Sequence, residues 1–265
     1  MEILSPLFVG NWKMHKDAAA TASFFEAFRQ LIGSPARCDV VICPTFLGLE
    51  TAVGATRGTR IRIGAQNLHW AREGAYTGEI SGAMIRASGC SHVIVGHSER
   101  RKYFGETNES VSKKTVAALD AGLTPIVCIG EFERKNAREV IAEQFSGSVG
   151  MLTPGQFAKI AIAYEPFWAI GSGDAAAPSM AGEAHRFIRN QARAKFGEEA
   201  SSNVRILYGG SVKPVNAEGL MAEPGVDGFL VGGASLDPAS FASIVNLSCG
   251  SSATRSGRQP QWLRA

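Results

Sequence analysis

Short apolar runs recur along the chain and are separated by longer, helix-like segments. The runs are rich in β-branched residues and carry few polar positions, which is typical of strands buried on both faces in a parallel sheet. Eight such runs begin near Leu7, Val40, Ile61, Val93, Pro125, Ile160, Arg205 and Gly228.

The segments between the runs predict helices. Asp17 is a suitable N-cap for the first of them, and Gly122 follows another at the position of a C-terminal cap. The predicted helices span 17–32, 107–121, 134–145, 179–196 and 238–245. Strand and helix therefore alternate, which indicates right-handed βαβ units, and eight units in about 250 residues predict a closed (β/α)8 barrel.

We place a single barrel domain at 1–249 and expect 250–265, which is rich in Ser, Gly and Arg, to be a flexible tail. An open doubly wound sheet is the alternative architecture. That fold favours a G-x-G-x-x-G turn after the first strand, whereas the sequence there reads Gly10-Asn-Trp-Lys13. The closed barrel is therefore the favoured prediction.

Polar and glycine residues follow most of the runs directly. The active sites of such barrels lie at the carboxyl ends of the strands, so we expect these residues to converge on one rim. They are Asn11, Lys13, Gln66, Asn67, His97, Glu99, Glu131, Glu165, Gly209, Gly210, Ser211, Gly232 and Gly233.

Glu165 stands between an apolar strand and an unusually apolar loop. Pro166 disfavours helical backbone in the residue before it, so Glu165 should be held extended at the rim. The loop has the composition of a closing lid, since its glycines can absorb large dihedral changes. The alternative is an N-capping glutamate followed by a loop buried against a neighbour. The predicted lid comprises Pro166, Phe167, Trp168, Ala169, Ile170, Gly171, Ser172 and Gly173.

His97 is the histidine that ends a predicted strand. A helix start after it would disfavour positive charge, keeping the imidazole neutral and able to donate a hydrogen bond. His15, His69 and His185 lie in polar or helical contexts and are expected at the surface, while His92 opens strand four at the opposite rim and is expected to be structural.

Glycine pairs after strands seven and eight suggest a phosphate site, because backbone N–H groups free of Cβ bulk can surround an anion there. Each pair alone favours a tight strand-to-helix turn, and only the joint position of the two pairs favours a phosphate. Lys13 could be a Schiff-base nucleophile or a fixed charge. A phosphate nearby would keep it protonated, so we favour an electrostatic role, with Asn11 fixing the geometry.

Composition is ordinary for a globular protein, at 45% apolar and 19% charged residues. Three of the 27 basic residues, Arg255, Arg258 and Arg264, lie beyond residue 249, which leaves 24 basic and 24 acidic groups in 1–249. This zero balance argues against nucleic acid binding.

The odd set of five cysteines has no metal-type spacing and suits a reduced compartment. No membrane-spanning run or secretion signal is seen, so we expect a cytoplasmic protein.

Taken together, these residues resemble the triosephosphate isomerase family over about 8–247. The resemblance rests on the strings GNWKM at 10–14, GAYTGEIS at 74–81, VIVGHSERR at 93–101, PIVCIGE at 125–131, YEPFWAIGSG at 164–173, YGGSV at 208–212 and LVGGASL at 230–236.

The resemblance implies a TIM barrel that interconverts dihydroxyacetone phosphate and D-glyceraldehyde 3-phosphate in glycolysis and gluconeogenesis, without a metal or organic cofactor. Glu165 would take the proton from the carbon next to the carbonyl, and neutral His97 would polarise that carbonyl. Lys13 and Asn11 would stabilise the enediolate. Glu99 would orient Lys13. The phosphate would be bound by Asn11, Lys13, Gly171, Ser211, Gly232 and Gly233.

Lid closure over 166–176 and a homodimer are implied as well. Members are usually dimers in which the loop after strand three, here 66–79, enters the partner's pocket, with Thr77 as the reaching residue. The sequence departs from the family at His15, in the lid hinge that begins at Asp174, and at the loop tip 68–72, none of which is a proposed catalytic group.

Two other functions stay open at this point. One is isomerisation of a related phosphorylated tetrose or ketose, since pocket volume depends on loop geometry. The other is a barrel used as a binding scaffold without catalysis, which would have no physical need for Glu165, His97 and Lys13 at three separate strand ends.

Overall fold

The computed structural model of the chain describes residues 4–33, 38–169 and 177–251. Eight strands within these residues pair in parallel and in sequence order, and the last pairs with the first, so the sheet closes. The closed (β/α)8 barrel is therefore confirmed and the open sheet is wrong. The strands are β1 (Leu7–Asn11), β2 (Asp39–Cys43), β3 (Ile61–Ala65), β4 (His92–Val95), β5 (Thr124–Ile129), β6 (Ala161–Tyr164), β7 (Arg205–Tyr208) and β8 (Gly228–Val231).

Helices separate the strands as the sequence predicts, with extra short turns. Asp17 caps the first helix through a 2.8 Å bond from the Ala20 N–H. The described α-helices are α1 (Ala18–Leu31), α2 (Leu49–Ala55), α3 (Gly82–Ala87), α4 (Ser98–Phe104), α5 (Asn108–Asp120), α6 (Ala137–Val149), α7 (Pro154–Phe157), α8 (Pro178–Asn203), α9 (Pro214–Met221) and α10 (Pro238–Ser251). Short 3-10 turns occupy Phe46–Gly48, Arg134–Asn136, Phe167–Ala169 and Gly233–Leu236.

The barrel has an apolar interior and an apolar layer outside it. Alternate residues of the strands point inward, and the side chains of the inner cluster are at most 3% exposed. The other residues of each strand pack against the helices, where Phe8, Trp12, Phe25 and Phe229 are fully buried. Burial on both faces explains why the strands contain almost no polar positions. Inner-cluster members include Leu7, Val9, Val41, Ile94, Ile126, Ala163, Leu207 and Leu230.

Parallel pairing brings the carboxyl ends of all eight strands to one rim. The pairing continues past the end of β6, since the Glu165 N–H donates to the Ile129 carbonyl at 2.8 Å and the Gly209 N–H donates to the Tyr164 carbonyl at 2.8 Å. Glu165 is thus held by the sheet, with Pro166 after it, as the sequence predicts.

Two histidine predictions are wrong. His185 is fully buried and its Nδ1 bonds to the Gly225 carbonyl at 3.0 Å, while His69 is 9% exposed and lies between the Trp70 and Tyr76 rings at 4.3 and 4.1 Å. Tertiary packing buries both, although their local sequences are polar. His92 does open β4 at the opposite rim, as expected.

The cysteines differ from expectation at one position. Cys43, Cys90 and Cys128 are buried free thiols. Cys38, however, is disulfide-bonded, which differs from the reduced state that the odd number of cysteines suits. Within the ranges given above, no helix combines the length and apolar character needed to cross a bilayer.

Burial of His185 predicts a pH-dependent stability. Burial lowers the pKa of His185 to about 4, from an ordinary value of 6.5. Between these values the unfolded chain binds a proton that the folded chain excludes, so stability falls as the pH drops from 6.5 towards 4. We expect His185→Asn, which retains a donor for Gly225, to remove up to about 1.4 kcal/mol per pH unit from this dependence.

Chemical denaturation at several pH values measures that slope. His15→Asn serves as the matched control, because it makes the same substitution at an exposed histidine. A His185→Asn protein with the same slope as the parent would show that His185 does not titrate differently on folding.

Candidate active site

Glu165 and His97 meet at the rim, although they follow different strands. The Nε2 atom of His97 lies 2.9 Å from Oε1 of Glu165, and the Ser98 N–H donates to Oε2 at 2.9 Å. Both side chains are buried, with relative exposures of 2% for Glu165 and 5% for His97. Each carboxylate oxygen thus accepts one hydrogen bond and keeps a second lone pair for a proton.

The pKa of the Glu165 carboxyl lies below its usual range. Burial alone would raise it, but the charge and hydrogen bond of His97, the Ser98 N–H and the charge of Lys13 outweigh burial. The carboxylate is therefore ionised at neutral pH, which a base requires.

His97 is the N-cap of α4, and its Nδ1 accepts a hydrogen bond from the Glu99 N–H at 3.2 Å. A nitrogen that accepts cannot carry a proton, so this bond places the ring proton on Nε2, facing Glu165. Burial is the largest single effect on the pKa of His97 and lowers it, but the charge and hydrogen bond of Glu165 together with the charge of Glu99 outweigh burial and raise the pKa, opposite to the effect expected from the helix start. We assign the neutral ring from the Nδ1 bond; a substrate that separates His97 from Glu165 would also remove the main cause of the raised pKa.

Lys13 enters the same rim from β1. Its Nζ lies 2.6 Å from Oε1 of Glu99. Its backbone is in the left-handed region, at φ 53°, which is rare for a lysine. Asn11 Oδ1 accepts from the Lys13 N–H at 3.0 Å, and Gln66 Nε2 donates to the Lys13 carbonyl at 2.8 Å. These side chains hold Lys13 in a conformation that it would not otherwise adopt.

A cavity of about 580 Å³ collects these groups. The loops after β7 and β8 form its opposite wall. Gly209 has to be glycine because a Cβ there would lie 2.9 Å from Cγ of Glu165, and a Cβ on Gly232 would lie 3.4 Å from Cε of Lys13. Predicted site residues that line the cavity are Asn11, Lys13, His97, Glu165, Ser211, Gly232 and Gly233.

The described part of the predicted lid is anchored by Glu131. Its Oε1 accepts from Trp168 Nε1 at 2.8 Å and from the Tyr164 hydroxyl at 3.0 Å, and its backbone carbonyl accepts from the Phe167 N–H at 2.9 Å. Arg134 stacks on the Trp168 ring at 3.9 Å. Pro166 to Ala169 are therefore fixed to the loop after β5.

Some predicted site residues lie elsewhere. Ile170, Gly171, Ser172 and Gly173 fall outside the described residues. Thr77 is exposed on the loop between β3 and α3 and does not line the cavity.

Sequence reasoning placed Gln66 and Glu131 at the rim without giving either a role. It also missed the backbone N–H of Ser98 as a partner of Glu165. Position at a strand end was the available signal for Gln66 and Glu131. No side-chain pattern could have identified a backbone donor.

Comparison with known proteins agrees with this geometry. The sequence profile described as Triosephosphate isomerase matches residues 6–248. A triosephosphate isomerase of Solibacter usitatus (strain Ellin6076) is 60% identical over 91% of this chain and 98% of its own length. One of Citrifermentans bemidjiense is 49% identical over 92% of this chain and 98% of its own.

The chain is also similar to a solved structure, the crystal structure of triosephosphate isomerase from Bartonella henselae. The TM-score is 0.83 at 38% sequence identity, and the match covers 92% of this chain and 99% of that one. The likeness therefore extends over the barrel and its rim.

Proposed function

The chain belongs to the triosephosphate isomerase family, and we propose that Glu165, His97 and Lys13 are the groups with which it isomerises its substrate. It is an isomerase that interconverts dihydroxyacetone phosphate and D-glyceraldehyde 3-phosphate, a step of glycolysis and gluconeogenesis. The observation that carries the assignment is the convergence of an ionised carboxylate, an imidazole N–H and an ammonium on one cavity.

Each group has a distinct proposed role. Glu165 removes the proton from the carbon beside the carbonyl, producing an enediolate, and returns it to the neighbouring carbon. The Nε2–H of His97 donates to the carbonyl oxygen, where negative charge develops, and moves protons between the two oxygens. Lys13 supplies a positive charge for the enediolate and the phosphate, and Asn11 supports the oxyanion.

Other residues position these three. Glu99 holds Lys13 through its 2.6 Å ion pair and fixes the His97 tautomer through its backbone N–H. The phosphate lies against Ser211, Gly232 and Gly233, with Gly171 completing the site when residues 166–176 close. Closure excludes water, which protects the enediolate from losing its phosphate.

We further propose a single catalytic domain at 1–249 followed by a tail, and a homodimer in which Thr77 enters the partner's pocket. Large exposed apolar side chains support an interface, since Met14, which follows Lys13 in sequence, is 92% exposed, Leu47 88% and Phe104 67%. Light scattering should give twice the chain mass. A fully active monomer would contradict the proposed dimer.

A cytoplasmic location is proposed from the glycolytic role alone. The disulfide at Cys38 does not support it, because the glutathione pool of a cytoplasm keeps most thiols reduced.

A coupled assay on D-glyceraldehyde 3-phosphate tests the function, with a four-carbon aldose phosphate as the competing substrate. We expect turnover of the three-carbon substrate to exceed that of the four-carbon one by at least about tenfold, the discrimination that one extra carbon unit typically gives in a closed pocket. Equal or greater turnover of the four-carbon phosphate would favour the related isomerase activity instead.

A further inference from the structure

The charged side chains at the catalytic end of the cavity sum to a net negative charge, which opposes a bound phosphate. Lys13 is already paired with Glu99 at 2.6 Å. Glu165, whose pKa is lowered, adds a negative charge on the same cavity. These three groups sum to one negative charge, whereas a phosphate monoester carries about two more at neutral pH. A further positive side chain at the phosphate end would offset this charge alongside the backbone N–H groups there.

Lys213 is such a group. It lines the cavity on the same wall as Ser211 and Gly232, and it is the second of the two lysines among the described lining residues. The side chain is exposed and forms no ion pair with any residue that the structure describes, so its charge is not compensated as that of Lys13 is.

Asn216 fixes the backbone that presents Lys213. Its Oδ1 accepts from the Lys213 N–H at 2.8 Å, and its Nδ2 donates to the Ser211 carbonyl at 3.0 Å. One side chain thus clamps both ends of the turn 211–213 at the start of α9. The position of Lys213 beside Ser211 is built into the loop and does not depend on the lysine side chain.

We propose that Lys213 is a specificity-determining residue that attracts the substrate's phosphate dianion to the loop 211–213 and offsets the negative charge of Glu165. The inference rests on the proposed function, because it takes the loops after β7 and β8 as the phosphate site. It adds a side-chain cation to a site otherwise built largely from backbone N–H groups, and it makes affinity for phosphate dependent on ionic strength.

Isothermal titration calorimetry with inorganic phosphate tests this without relying on turnover. At about 20 mM ionic strength we expect Lys213→Met to raise the Kd for phosphate about 5- to 10-fold, and the difference to shrink to about twofold near 200 mM salt. Lys213→Arg should keep the parent Kd. Lys159→Met is the matched control, because Lys159 is an exposed lysine just before β6, at the opposite end from Glu165.

The outcomes separate this inference from the proposed function. If Lys213→Met and Lys159→Met give the same Kd while the parent protein binds phosphate, the role of Lys213 is wrong and the phosphate site stands. If the parent protein binds no phosphate, the phosphate site itself is misplaced and this inference falls with it.

Discussion

Glu165→Gln is expected to lower kcat about 10³- to 10⁴-fold, the upper range for loss of a positioned general base. Glutamine keeps the length of the side chain but cannot accept a proton at neutral pH. Glu165 Oε1 lies 2.9 Å from Nε2 of His97. If the glutamine amide nitrogen occupied that position, two hydrogen-bond donors would face each other. The coupled assay on D-glyceraldehyde 3-phosphate measures the loss.

Glu165→Asp separates the base itself from its placement. A carboxylate one methylene shorter lies about 1 Å further from the substrate, which costs on the order of 10²-fold. Activity should therefore fall in the order parent, Glu165→Asp, Glu165→Gln. If Glu165→Gln were as active as Glu165→Asp, the ionised carboxylate would not be the base. Thermal melting of both variants checks that the fold is retained.

Lys13→Met should lower kcat/KM about 10²- to 10³-fold, the effect of losing one preorganised charge near a developing oxyanion. Both substrate binding and enediolate formation lose a positive charge, so KM should rise while kcat falls. Steady-state kinetics of both directions measures the two constants. Lys159→Met is the control, because Lys159 is an exposed lysine just before β6, at the opposite end from Glu165.

A double-mutant cycle with Glu99 tests how Lys13 is positioned. Removing Lys13 leaves Glu99 without its 2.6 Å partner, and this lone carboxylate would repel a phosphate. We therefore expect Glu99→Gln to recover part of the loss in the Lys13→Met background, while costing activity in the parent. Strictly additive effects would show that the ion pair does not position Lys13.

Much of this site could be predicted because a barrel converts sequence order into spatial order. Each apolar run ends at the same rim, so the residue after each run is brought towards the others whatever its distance along the chain. Glu165, His97, Lys13 and Asn11 were all found in this way. Pro166 also predicted that the Glu165 backbone is extended. The hydrogen bond from the Glu165 N–H to the Ile129 carbonyl agrees with this prediction.

Details that depend on packing between distant segments could not be predicted. His185 lies in a polar helical sequence, yet the turn at Gly225 covers it completely. Glu131 anchors Tyr164 and Trp168, but its local sequence shows only a carboxylate after a strand. The left-handed backbone of Lys13 results from bonds to Asn11 and Gln66, which lie 2 and 53 residues away.

Proton exchange with solvent shows whether Glu165 takes the proton from the carbon beside the carbonyl. Dihydroxyacetone phosphate is incubated with the parent protein and with Glu165→Asp in deuterium oxide, and deuterium incorporation at that carbon is followed by NMR. We expect exchange in Glu165→Asp to be slower by on the order of 10²-fold, in step with kcat. Exchange at the parental rate would show that another group removes the proton.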